Sequence, residues 1–129
     1  IENSNNNVNK VNQLVIQTKA PDFIKDIFER KLGIRLALDK TFNEWAGRML
    51  FFRLGGVTLE VIEGKDIEQN TKYFGIGWHA ENYNKCYNKL IDDGFSLSEI
   101  RKGRKEGTLV STMKEPILNI PTILIGLEE

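Results

Sequence analysis

Apolar and β-branched residues fill positions 48–54 (RMLFFRL) and 57–62 (VTLEVI), and the Gly55-Gly56 pair between them supplies the positive φ angles of a tight turn. The stretch reads as a β-hairpin. Side chains alternate along a strand, so Thr58, Glu60 and Ile62 face one way while Val57, Leu59 and Val61 face the other. One carboxylate, Glu60, therefore stands mid-strand among apolar neighbours. It is either a solvated or salt-bridged group on a half-exposed sheet or a member of a binding site.

Upstream, residues 11–18 (VNQLVIQT) alternate as a strand, with Gln13, Val15 and Gln17 on one face and Leu14 and Ile16 on the other. Pro21 and Asp22 then open a helix, in which Phe23, Ile24, Ile27, Phe28 and Leu32 recur at helical spacing until Gly33 stops it. Residues 34–38 (IRLAL) form a second strand, a polar loop passes through Asn43 and Glu44, and the hairpin follows. The first half is thus βαβββ.

The second half repeats that order. Residues 73–79 (YFGIGWH) make a strand, and a helix ending at Gly94 carries Tyr83, Cys86, Tyr87, Leu90 and Ile91 on one stripe. Strands follow at 95–100, 108–113 and 121–127. KLG at 31–33 corresponds to DDG at 92–94, and VTLEVIE at 57–63 to PTILIGLE at 121–128, giving a repeat of about 60 residues. Module one spans 11–63 and module two 72–128. Neither buries its sheet alone, so a single domain over 11–129 is expected. Residues 1–10 (IENSNNNVNK) are dominated by Asn and read as a flexible N-terminal tail.

Composition narrows the partners. Lys plus Arg and Asp plus Glu both number 18 in 129 residues, so no net field attracts nucleic acid or an anionic membrane. No apolar run approaches the roughly 20 residues that span a bilayer. The single cysteine, Cys86, rules out an internal disulfide and fits a reducing, cytoplasmic setting. On the helix stripe it reads as core rather than as a nucleophile. Walker, GxSxG, HExxH and Rossmann signatures are all missing from the sequence.

The duplicated βαβββ pattern, with its strand-helix-LG opening and LEV strand, resembles the vicinal oxygen chelate superfamily, the fold of glyoxalases and bleomycin resistance proteins. The resemblance covers roughly residues 11–128. Its most specific part is WHAENYNKCYNKLIDDGFSLSEIRKGRKEGT followed by IPTILI, similar to glyoxalase-like proteins with a GRKPGT-type loop, here with Glu106 in place of Pro. It implies an α+β fold in which two βαβββ modules form a curved, mostly antiparallel, eight-stranded cupped sheet with helices outside. It also implies a homodimer. In metal-using members, one residue from the first and last strand of each module binds a divalent ion. Carried onto this chain, those positions are Gln13, Glu60, Gly75 and Leu124. Only Gln13 and Glu60 can ligate, so no complete metal site and no cofactor is expected, with those two residues as a weak divalent site at most.

What remains is a small-molecule cavity with Gln13, Gln17, Glu60 and His79 as its polar members and room above Gly75 and Gly77. His79, the only histidine, and Glu60 are the candidates for acid–base work, against the favoured reading of His79 as a structural strand-end residue bonded to backbone. Trp78 alternates toward the helix side, and Trp45 falls in a loop that could cover the cavity mouth. The loop Gly103-Arg104-Lys105-Glu106-Gly107 offers Arg104 and Lys105 as an anion clamp, against the alternative of a solvated turn. The resemblance thus implies a protein that binds a small organic molecule. The alternative is a lyase or isomerase like the lactoylglutathione lyases with Glu60 as base. A ring-cleaving dioxygenase ranks last, because that chemistry needs two histidines.

Overall fold

The computed structural model describes residues 6–42, 47–115 and 119–128. Among them, eight strands and two helical segments give an α+β fold: β1 (Val8–Thr18), α1 (Pro21–Lys25) continuing as a π-helical stretch (Asp26–Lys31), β2 (Arg35–Phe42), β3 (Gly47–Leu54), β4 (Val57–Glu63), β5 (Thr71–Ala80), α2 (Tyr83–Asp92), β6 (Arg101–Lys102), β7 (Thr108–Met113) and β8 (Thr122–Leu127). The strands form a mostly antiparallel sheet in two runs, β2-β3-β4-β1 and β5-β8-β7-β6, within which β1 pairs parallel with β4 and β5 parallel with β8. The chain divides into two compact units, Gln13–Gly75 and the segments flanking it.

In the Gln13–Gly75 unit, the hairpin turns through Gly55 (φ 56°) and Gly56 (φ 84°), as the Gly-Gly pair requires. Strand alternation sends Ile16, Val61, Leu50 and Phe52 to one face, where they pack with Ile24 and Ile34 and with the partly buried Phe28, Leu36 and Leu59. Phe28 meets Phe52 edge to face at 5.2 Å. The helix departs from its predicted stripe. Its second half is π-helical, with Leu32 N–H donating to Ile27 C=O five residues back at 2.9 Å. That wider turn swings the following positions off the face, so Leu32 is 63% exposed. Phe23, which precedes it in the first turn, is also off the predicted stripe at 57% exposed. An ion-pair network ties α1 to the strands. Arg48 grips Asp39 through two nitrogens, at 2.9 and 2.8 Å, and reaches Asp22 at 2.8 Å, while Lys25 joins Asp39 at 3.1 Å.

In the flanking unit, α2 packs Tyr83 and Cys86 onto Ala80 and Leu124, with Trp78, Tyr87, Leu90 and Leu109 around them. Trp78 and Cys86 are therefore core, as alternation and the helix stripe predict. Ile91 is not on that stripe and is exposed. Three boundaries also differ from expectation. The run 95–100 is not a strand: Leu97 makes one isolated bridge to Met113, and the edge strand is the two-residue β6 that follows. β2 continues to Phe42, four residues past the apolar run, because pairing with β3 continues through polar residues. β1 starts at Val8, so part of the stretch expected as a flexible tail is strand. Residues 1–5 and Trp45 lie outside the described residues. No helix among the described residues is long and apolar enough to cross a membrane.

Gly126 lies where a Cβ would come within 2.6 Å of the Ala80 carbonyl oxygen and 2.9 Å of Tyr83 Cβ. Gly126→Ala should therefore destabilise the protein by about 1–3 kcal/mol, as overpacking does, in a urea titration where Lys85→Ala stays within about 0.5 kcal/mol of the parent. The hydrogen bonds from Arg48, aided by Lys25, hold the Asp39 carboxyl at about 2. Because this lies below the unfolded value of 3.8, the stability it contributes is present above pH 3.8 and is lost as pH falls from there through about 2. Asp39→Asn should flatten the stability curve across that window, by on the order of 1 kcal/mol after screening by solvent. An unchanged slope would remove the network from the account.

Candidate functional site

The register of β4 with its two neighbours decides which side chains meet. In parallel pairing with β1, Glu60 lies opposite Val15, Thr58 opposite Gln13 and Ile62 opposite Gln17. In antiparallel pairing with β3, Glu60 lies opposite Phe51 and Ile62 opposite Met49. Gln13, Gln17 and Glu60 therefore share the face turned away from α1, as the alternation pattern predicts. That face is not half-exposed at Glu60: the residue is 3% exposed, between Val15 at 7% on β1 and the half-buried Phe51 on β3. A carboxylate held out of water among Val15, Phe51, Met49 and Ile62 is the distinctive group of this unit. Gln17 packs over Gly64: a Cβ there would fall 2.6 Å from Gln17 Cγ and 2.7 Å from its amide nitrogen, so a larger residue would have to displace the Gln17 side chain. Gly75 ends this unit as a buried position of β5.

In the flanking unit, β5 pairs with β8 so that Gly77 lies opposite Ile123, Trp78 opposite Leu124 and His79 opposite Ile125. Gly77 and His79 share the face away from α2, whereas Leu124 is fully buried under the helix. The final-strand position opposite Gly77 is thus Ile123, a one-residue correction to the placement at Leu124. His79 Nδ1 is hydrogen-bonded to Asn9 Oδ1 at 2.8 Å. An amide oxygen only accepts, so Nδ1 carries the proton and Nε2 the lone pair. Burial is the main cause lowering the His79 pKa below its ordinary 6.5, with the Lys10 charge adding to it and Glu81 opposing it. Cys86 has its thiol pushed up by burial, which suits a core residue.

Arg104 and Lys105 are exposed in the turn between β6 and β7. The turn is closed by Gly103 N–H to Thr108 C=O at 2.9 Å and by Thr108 N–H to Lys105 C=O at 3.2 Å. The basic residue that the strand register carries onto the sheet face is a different one. Arg101 pairs with Val110, Val110 with Ile125, and Ile125 with His79, so the four form one row across β6, β7, β8 and β5. Sequence reasoning missed both Arg101 and Asn9. Counting back from the Gly103–Gly107 turn would have found Arg101, since a hairpin's loop fixes its register. Nothing in an Asn-rich segment marks Asn9.

The metal pattern of the superfamily can be tested on residue types. Gln13 and Glu60 are oxygen donors, but the corresponding positions of module two are Gly75 and Ile123, which offer none. Among the described residues, no three His, Cys, Asp or Glu side chains cluster as metal ligands would. The full ligand set does not fit this chain.

This topology, with paired βαβββ modules and parallel β1–β4 and β5–β8 contacts, is the vicinal oxygen chelate fold. Its solved relatives in structure include the methylmalonyl-CoA epimerase from Mycobacterium tuberculosis, with a TM-score of 0.74 and 11% identity, covering 95% of this chain and 90% of that one. A hypothetical protein from Bacillus halodurans aligns with a TM-score of 0.72 and 12% identity, over 93% of this chain and 95% of that one. A variant of the Streptomyces coelicolor methylmalonyl-CoA epimerase in complex with 2-nitronate-propionyl-CoA aligns at 0.71 and 13%, over 95% and 99%. At such identities the likeness is one of fold. No protein-family description and no curated protein matches the sequence.

The lowered His79 pKa gives a direct check. In a proton NMR titration, the imidazole should titrate below 6.5, and Lys10→Ala should raise the midpoint because it removes a cation that disfavours the imidazolium. Because the folded value is depressed, stability from this group is full above pH 6.5 and falls with pH below it. A midpoint above 6.5 would contradict the geometry described.

Proposed function

We propose that the chain binds a small oxygenated organic molecule at the Glu60 face and moves a proton on it, as an isomerase or lyase of the glyoxalase type does. The observation that carries this reading is the burial of Glu60 at 3% exposure on the sheet face opposite the helix. A carboxylate is tolerated out of water only when it is paired or hydrogen-bonded, and carboxylates in such environments concentrate where proton transfer occurs. The epimerases among the structural neighbours support an isomerase over a ring-cleaving enzyme.

The chemistry follows from the groups present. The Glu60 carboxylate would take the proton from a carbon next to a carbonyl, the C–H electron pair would move into the C–C bond, and the carbonyl π pair would move onto oxygen. The resulting enolate oxygen needs donors, and the amide N–H groups of Gln13 and Gln17 on the same face are available to supply them. Protonation of the enolate carbon by water on the face opposite Glu60, with the abstracted proton passing from Glu60 to solvent, gives the epimer, and return of the proton from Glu60 to a neighbouring atom gives the isomer. No step is routed through a metal, since the ligand set does not fit one. A second reading, binding without turnover, is favoured by the loss of donors at Gly75 and Ile123.

The test uses a 2-methylmalonyl thioester in deuterium oxide. The parent protein should exchange the acidic α-hydrogen for deuterium, and Glu60→Gln should slow that exchange by about 100-fold or more, within the range for losing a general base. Saturable binding with no exchange would favour the second reading. Exchange unaltered in Glu60→Gln would remove Glu60 as the base.

A further inference from the structure

We propose, on the basis of that reading of Glu60, that the molecule bound there is a phosphate monoester of a small carbonyl compound, gripped near the hairpin turn by the paired guanidinium groups of Arg35 and Arg53. Arg35 of β2 lies directly opposite Arg53 of β3, and Arg53 lies opposite Thr58 of β4, so the two arginines leave the sheet side by side. Residues so opposed have their Cβ atoms about 5 Å apart, and like charges there are destabilising. Both arginines are exposed, and among the described residues neither has a carboxylate partner. The helix side of the same two strands differs. There Arg48 of β3 is met by Asp39 and Asp22, and Asp39 also takes Lys25. An uncompensated pair of cations on adjacent strands is what an external dianion completes.

Register also ties the pair to the carboxylate. Thr58 precedes Glu60 by two residues on β4, so Arg53, Thr58 and Glu60 share one face. Arg53 Nη1 donates to Thr58 Oγ1, which draws the guanidinium over β4, the strand that carries Glu60. Arg53 and Glu60 are diagonal neighbours, roughly 7 Å apart at Cβ level. A short carbonyl compound with its ionised group a few bonds from the acidic carbon bridges that span. Each guanidinium presents a two-pronged fork, and one fork already satisfies both oxygens of a carboxylate. A phosphate monoester has three oxygens and close to two negative charges at neutral pH, which occupies both forks. The two cations also cancel the charge that the phosphate would otherwise set beside Glu60.

Hydroxyacetone phosphate is the probe, with levulinate as the ketone bearing one negative charge and hydroxyacetone as the uncharged one. Titrated into the full chain at pH 7, hydroxyacetone phosphate should shift the backbone amide resonances of Phe51 and Glu60 saturably. Levulinate should bind at least tenfold more weakly, and hydroxyacetone more weakly again. Arg35→Ala and Arg53→Ala should each weaken hydroxyacetone phosphate at least tenfold and leave hydroxyacetone unchanged. Arg53→Lys should lose less, because it keeps the charge without the fork. Lys85→Ala should bind as the parent does. Deuterium exchange of the methylmalonyl thioester in the parent separates this proposal from the reading of Glu60. Exchange through Glu60 with no preference for the phosphate leaves proton transfer standing and overturns the proposal. Arginine-dependent binding beside Glu60 without exchange supports the ligand class and removes turnover instead. Full affinity in both folded arginine variants, or shifts confined to residues away from Phe51 and Glu60, would also overturn it.

Discussion

The parallel pairing of β1 with β4, Val15 against Glu60, is the constraint on which this unit of the protein depends. Because side chains alternate, a slip of one residue would exchange the two faces of the strand. Ile16, Leu59 and Val61 would leave the helix, and Gln13, Gln17 and Glu60 would be driven beneath it. The apolar face cannot tolerate that exchange, so packing against Ile24, Phe28 and Phe52 fixes where the polar groups stand. The candidate chemistry is thus placed by the core on the other side of the sheet. The β5–β8 pairing does the same in the flanking unit, where Leu124 under α2 sets Gly77, His79, Ile123 and Ile125 on the opposite face.

Much of this was legible in the residues, for identifiable reasons. The Gly55-Gly56 turn, the alternation through VTLEVI and the Pro21 helix start are local signals, read at the same scale at which the backbone responds to them. Glu60, Gln13 and Gln17 share a face because period two is all that such an inference requires. The misses have a common origin in partner strands. β2 continues to Phe42 and β6 lies at Arg101–Lys102 because of what those residues pair with, which their own hydrophobicity does not reveal. The placement at Leu124 failed by one residue for the same reason. The π-helical stretch is a third kind of miss. The sequence DIFERK carries no obvious breaker, and one widened turn is enough to expose Leu32.

Burial of Glu60 was the least predictable feature. A mid-strand carboxylate is compatible with either an open or a covered face, and which one holds depends on what lies over the strand. The glycines around Arg104 and Lys105 mark a turn, a local signal, whereas nothing local places Arg101 on the sheet face. Register instead selects that residue.

The Asn9–His79 hydrogen bond has a practical consequence. Asn9 stands in a stretch whose composition alone, Asn-rich and without apolar periodicity, would invite an engineer to trim it. Cutting after Lys10 would leave all of α1 and α2 and seven of the eight strands at full length. The shortened protein would nevertheless have lost the amide that fixes the proton on its only imidazole, so trimmed and untrimmed preparations are not interchangeable in any experiment that reads acid–base behaviour.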